Sequence, residues 1–139
     1  MTEFVTGPFQ NALLPGEIAV AARIPVPTGT PHGRYLKLER RVGDFATVGV
    51  AVALETAGST VIAAGVALTG VGASNIKALA AEQVLVGSAL EPDAVEEAAR
   101  LAAEAAQPRT DHRGSADYKR HVIRTFVTRA LESSVAVSA

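Results

Sequence analysis

Residues 45–55 read FATVGVAVALE and residues 60–70 read TVIAAGVALTG, with Ala57-Gly58-Ser59 between them. Both runs are rich in β-branched residues and the intervening tripeptide carries turn chemistry, so the pair predicts a long antiparallel hairpin. Side chains alternate across a strand. In the first run Val48, Val50, Val52 and Leu54 share one face, and Thr47, Gly49, Ala51 and Ala53 share the other. The second run repeats the division, with Ile62, Val66 and Leu68 against Ala63, Gly65, Ala67 and Thr69. One face is bulky and the other small, yet neither is polar. Antiparallel sheets with a wet face alternate apolar and polar residues. The pattern therefore predicts that both faces are covered, one by the chain's own helices and part of the second by another domain or subunit.

Upstream of the hairpin, residues 17–24 (EIAVAARI) form a short apolar run between Pro15-Gly16 and Pro25, which predicts a strand. Residues 25–33 (PVPTGTPHG) predict a loop. Downstream, the periodicity becomes helical. Ser74 or Asn75 can cap a helix that places Ile76, Leu79, Ala80 and Val84 on one face and stops near Gly87. Pro92 suits a first helical turn, with Asp93, Glu96 and Glu97 near the positive end of the dipole. Val95, Ala98, Leu101 and Ala105 follow at helical spacing, and Pro108 ends the run. Ser115 can cap a last helix whose stripe is Tyr118, Val122, Phe126, Val127, Ala130 and Leu131. Lys119, Arg120, Arg124 and Arg129 are expected mostly around its other side. Strands over about 17–70 followed by helices over about 74–134 predict one α+β domain spanning residues 1–139. Its antiparallel sheet, an N-terminal strand plus the long hairpin, packs on a C-terminal three-helix bundle.

Composition narrows the function classes. The chain has 139 residues and no Cys, which excludes disulfides, thiolate metal sites, iron–sulfur ligation by this chain and a Cys nucleophile. The same lack makes the cytoplasm the expected location. A formal charge of −1 gives no long-range attraction to nucleic acid or acidic lipid. The opening MTEFVTGP has no basic region of the secretory type. The apolar stretch 46–71 is broken by ETAGST at 55–60, and neither half approaches the roughly 20 apolar residues of a membrane span.

Several small motifs invite chemistry and yield plainer readings. Residues 70–75 (GVGASN) resemble part of a dinucleotide-binding fingerprint, but Asn75 stands where the third Gly belongs, and a tight strand-to-helix turn explains the glycines better. Residues 111–115 (DHRGS) hold an acid, a His and a Ser, but neighbours in a loop rarely orient one another as a triad requires, so a polar loop ending in a cap is the better reading. His32, His112 and His121 are widely spaced and form no metal set. No catalytic residue is assigned. Residues 34–44 (RYLKLERRVGD) are the densely charged part of the front half. In an extended strand Tyr35 and Lys37 share a face while Leu36 and Leu38 take the other. An aromatic ring beside a cation suits a planar, electron-rich ligand. The alternative is an edge strand protected by charge.

Residues 33–52 (GRYLKLERRVGDFATVGVAV) resemble the C-terminal domain of the FAD-binding medium subunit of aerobic carbon monoxide dehydrogenase, one of the molybdenum hydroxylases, a group that includes xanthine dehydrogenase. VTGPF at 5–9, LPGE at 14–17, ALTGVG at 67–72, LVG at 85–87, DHRGSADYKRH at 111–121 and RALE at 129–132 extend the resemblance in order along almost the whole chain. It implies an antiparallel sheet on three helices. It implies an oxidoreductase complex in which substrate is oxidised at a molybdopterin centre in a large subunit. Electrons then pass through iron–sulfur clusters in a small subunit to FAD in the medium subunit. It further implies that two N-terminal lobes hold most of the FAD and that the C-terminal domain closes over it. Tyr35 then matches a Tyr that approaches the isoalloxazine ring, Lys37 a position close to the flavin, and Asp44 a common motif position.

The lobes are absent from this sequence, so they are expected on another chain, together with iron–sulfur and molybdopterin partner subunits. The isolated chain is expected to retain little FAD and not to be catalytic alone. With no polar sheet face, it is also expected to form homo-oligomers when its partner is missing. A stand-alone interaction or scaffold module with the same fold and no redox role is the alternative. Substrate identity is not carried over, because members of the group oxidise many aldehydes and heterocycles.

Overall fold

The computed structural model describes residues 3–135. A small two-stranded sheet, β1 (Val5–Gly7) and β2 (Gln10–Asn11), opens the chain. The main sheet is an antiparallel meander of β3 (Thr30–Leu38), β4 (Val48–Ala57), β5 (Thr60–Thr69) and β6 (Ile76–Lys77), in that spatial order. Three helices follow, α1 (Leu79–Leu85), α2 (Pro92–Ala105) and α3 (Ala116–Val135). The α+β architecture and the segregation of strands from helices agree with the sequence reading.

The hairpin forms where the sequence places it, with Gly58 at positive φ in its turn. Val48, Val50, Val52 and Leu54 are all buried and face the helices. The inward set of β5 differs from expectation. Glu55 pairs with Ala63 but Thr56 pairs with Val61, so Ile62 is an extra residue in a bulge. The bulge reverses the alternation before it, burying Val61 and leaving Ile62 on the outer side with Val66 and Leu68 still inward.

The expected strand at 17–24 does not form. Ile18, Val20 and Ile24 stand exposed, and the strand flanking β4 is supplied by β3 instead, within the stretch that turn chemistry had extended to residue 33. Apolar alternation specifies a strand only where a paired edge and a covered face exist, and among the described residues this segment meets neither.

The first helix also begins later than expected. Residues 70–75 lead into β6, where Ile76 pairs with Leu68 and Lys77 with Ala67, so the turn is strand-to-strand and neither Ser74 nor Asn75 caps a helix. The next free donor on β5, the N–H of Val66, bonds Glu82 Oε1 at 2.9 Å. That contact turns α1 so that Ala78, Ala81, Glu82 and Leu85 are buried, while Leu79 is exposed. Completing the sheet edge overrides the local helical phase. Gly87, at positive φ, follows the helix end as expected.

Pro92 opens α2, which buries an alanine-rich face of Val95, Ala98, Ala99, Ala102 and Ala103. Such small side chains let helix backbones approach closely. At α3, Ser115 Oγ accepts from Tyr118 N at 3.1 Å, as a cap should. Val122, Ile123, Val127, Ala130 and Leu131 fill the core. Three positions differ from the expected stripe: Ile123 joins the core, Tyr118 is half exposed, and Lys119 is buried instead of lying on the polar side. The Lys119 amine donates to Arg109 O and pairs with Asp111 Oδ2, both at 2.8 Å, so its charge has partners under the surface. Among the described residues no helix is long and apolar enough to cross a membrane.

Candidate functional site

The register of the main sheet defines its outer face. Tyr35 pairs with Ala51, Ala51 with Ala67, and Ala67 with Lys77, giving a row that runs across all four strands. Lys37, Gly49 and Thr69 form the row on one side, and Gly33, Ala53 and Gly65 the row on the other. The result is a flat floor of Gly and Ala with Tyr35 and Lys37 on the β3 edge and Lys77 on the β6 edge. At strand spacings near 4.8 Å, that floor is roughly 14 Å wide. A cavity of about 590 Å³ lies over Ala51, Ala53, Gly65 and Ala67, bordered by Val5 and residues 74–77.

Tyr35 is 54% exposed. Its hydroxyl leans over Gly49, where a Cβ would come within 2.8 Å of it. The glycine thus leaves room for the phenol to lie close to the sheet. Lys37 and Asp44, which the sequence placed seven residues apart, meet directly: Lys37 Nζ donates to the Asp44 carbonyl at 2.6 Å. Lys37 also pairs with Glu39 at 2.5 Å. The Asp44 carboxylate accepts from the N–H of Phe45 at 2.8 Å and faces Arg113 at 3.5 Å. Arg113 further donates to Phe45 O at 3.2 Å. The loop 40–45 is therefore tied to β3 by Lys37 and to the entrance of α3 by Arg113. Sequence reasoning missed Arg113, set aside within a polar loop, and Lys77, given to a helix. Contacts 69 residues apart and a two-residue edge strand leave no local signal.

The loop that holds Arg113 is itself anchored. Asp111 accepts from Lys119 Nζ and from the N–H of Arg113, and the hydrogen bond from Lys119, more than any other contact, lowers its pKa below the ordinary value of 3.8. Among the described residues no group of His, Cys, Asp and Glu could hold a metal ion.

The family model for the CO dehydrogenase flavoprotein C-terminal domain matches residues 34–134. The chain belongs to that family. The match takes in the latter part of β3 from Arg34, the hairpin, β6 and nearly all of the helical layer. The chain is 38% identical over 135 residues to the carbon monoxide dehydrogenase medium chain of Afipia carboxidovorans, covering 96% of this chain and 46% of that one. It is 35% identical over 131 residues to the carbon monoxide dehydrogenase medium chain of Hydrogenophaga pseudoflava, again covering 46% of the relative. The fold superposes on a solved structure of the carbon monoxide dehydrogenase of Hydrogenophaga pseudoflava, with a TM-score of 0.89 and 37% identity over 96% of this chain and 47% of that one. This flavoprotein domain thus spans about half the length of the medium chains it resembles.

Proposed function

We propose that residues 1–139 act as one unit, the closing domain over FAD in the medium subunit of a cytoplasmic molybdenum hydroxylase. The observation that carries this reading is the half-exposed Tyr35 ring at the margin of a flat floor of Gly and Ala, in a chain of the flavoprotein C-terminal family. The residues present fit a planar heterocycle. Ala51, Ala53, Gly65 and Ala67 project nothing that would hold a ring system away, and their apolar surface excludes water.

Bound FAD would supply a two-electron acceptor. Tyr35 would offer its ring to the flavin and orient it. Lys37 and Asp44 would border the same site and fix the loop 40–45 beside it through the bond between them. Arg113 would hold the same loop through Asp44 and Phe45. Residues 1–139 would have no catalytic group of their own. The FAD-holding lobes, the iron–sulfur subunit and the molybdopterin subunit would be the partners, and the substrate would be chosen on the last of these.

Titration of the purified chain with FAD, followed by flavin fluorescence, is expected to give no tight stoichiometric complex. Stoichiometric capture by the isolated chain would overturn the dependence on other lobes. A chimaera of the Afipia carboxidovorans medium chain carrying this chain in place of the matching segment is expected to purify with flavin. Tyr35→Ala in that chimaera is expected to change the flavin absorption bands. Unchanged bands would remove Tyr35 from the site. A folded chimaera without flavin would favour the scaffold reading.

A further inference from the structure

A second cavity, of about 340 Å³, lies where the turn 70–75 meets the segment between α2 and α3. The turn contributes Gly72 and Ala73 to its lining, and the segment and α3 contribute Gln107, Arg109, Asp111 and Lys119. It shares no residue with the cavity over the floor of Gly and Ala.

Both walls are held in place. Gly70 lies at positive φ, and a Cβ there would stand 2.6 Å from the carbonyl of Ala46, so the turn is packed against the entry to β4. A Cβ on Gly72 would stand 2.7 Å from Ile76 Cδ1, which closes the turn against β6. The N–H of Gln107 donates to Val71 O at 2.9 Å and joins the two walls. On the far wall, the buried Lys119 bonds the Arg109 carbonyl and Asp111 Oδ2. A site with fixed walls binds without first ordering itself.

The polar groups of this lining are mostly unused donors. Among the described residues the N–H groups of Gly72 and Ala73 have no acceptor, nor do the Gln107 amide and the Arg109 guanidinium. An ammonium carries three protons, and Lys119 places two. The carboxylate of Asp111 is already engaged, Oδ2 by Lys119 and Oδ1 by the N–H of Arg113. Two cations thus stand against one committed acid. Spare backbone and guanidinium donors with no spare carboxylate suit an oxyanion, and a phosphate uses more of them than a carboxylate does. A tight turn accounts for the glycines of 70–75, but not for unused N–H groups beside a guanidinium. The volume is at the lower end for small-molecule sites.

We propose that this cavity binds the phosphate group of a small ligand. Arg109 and the amides of Gly72 and Ala73 contact its oxygens, and Lys119 holds the wall that carries Arg109. The site is separate from the FAD reading and does not depend on it.

Titration of the full 139-residue chain with inorganic phosphate, followed by amide NMR, tests the proposal. Chloride keeps the ionic strength constant, so that screening cannot imitate binding. The Gly72 and Ala73 resonances are expected to shift saturably. Arg109→Ala is expected to weaken the fitted affinity about 10-fold, in the range of a charged hydrogen bond. Arg109 is exposed, and Arg109→Gln, which keeps the carbonyl that Lys119 bonds, is expected to behave alike. Arg124→Ala, outside the cavity, is expected to bind as the parent does. Glycerol phosphate is the second probe. Tighter binding than inorganic phosphate supports the proposal with a phosphate ester as the ligand, and equal or weaker binding supports it with free phosphate. Acetate that saturates the same amides as tightly as phosphate would make a carboxylate the ligand and overturn the proposal. No saturation at Gly72 and Ala73, or undiminished affinity in both Arg109 variants, also overturns it.

Discussion

The hydroxyl of Tyr35 lies 2.8 Å from the point where a Cβ on Gly49 would stand, and Thr69 Cγ2 lies 2.5 Å from the same point. A methyl group there must displace the phenol, the threonine or both. Gly49→Ala is expected to destabilise the chain by about 1–3 kcal/mol through overpacking. It is also expected to raise the exposure of Tyr35, read as greater quenching of tyrosine fluorescence. Full retention of stability and of the Tyr35 signal would show that the ring does not rest on that glycine.

The alanine face of α2 makes a second, independent demand for small side chains. Ala102 is fully buried. Ala102→Leu inserts three heavy atoms into a close helix contact, and the expected loss is again about 1–3 kcal/mol by chemical denaturation. Ile18→Ser, on the exposed arm, is expected to change the stability of the isolated chain by no more than about 0.5 kcal/mol.

Lys119 has a buried amine with two oxygen partners, one of them a carbonyl. Lys119→Ala removes both hydrogen bonds and releases the loop that carries Arg113. The expected cost is about 2 kcal/mol, in the range of hydrogen bonds to charged groups. Faster amide exchange over residues 109–114 should accompany it. A thermal transition unchanged from the parent would mean that the buried charge contributes nothing.

Glu55 and Asp111 supply a pH dependence with a defined sign. The hydroxyl of Thr28, assisted by the N–H groups of Gly29 and Thr28, lowers the Glu55 pKa below its ordinary 4.5. Lys119, foremost, lowers that of Asp111 below 3.8. A carboxylate depressed in the folded state contributes stability that is fully present above its ordinary pKa and is lost as pH falls through the folded value. Stability is therefore expected to decline below about pH 4.5. Glu55→Gln and Asp111→Asn are expected to be less stable than the parent at pH 7 and to approach it as the solution is acidified. Parallel pH profiles for parent and variants would exclude both groups from the acid transition.

Much of this fold is legible in local pattern. The β4–β5 hairpin follows from two β-branched runs around Gly58, α2 from Pro92, and the start of α3 from Ser115. Tyr35 and Lys37 share a face because the side-chain period of β3 is two. What local pattern misplaced depends on partners distant in sequence. The arm at 17–26 reads as a strand because alternation does not reveal whether an edge is available to it. Ile76 and Lys77 read as helix because only the vacant edge of β5 draws them into pairing. Lys119 reads as surface because its partners, Arg109 O and Asp111, approach from a loop whose course the helix periodicity does not encode.

The sequence alone determined the α+β class, the hairpin at the centre of the sheet, the flat small-residue face and the family. Each is written in nearest-neighbour spacing or in the order of short motifs. Only the tertiary structure decided that Lys37 and Arg113 both bond the same loop, that Lys77 and Tyr35 end the same row across the floor, and that four aliphatic side chains of residues 17–26 stand in water. Those relationships depend on register between strands and on contacts closed over long stretches of chain. Their energies exist only once the sheet has selected its edges.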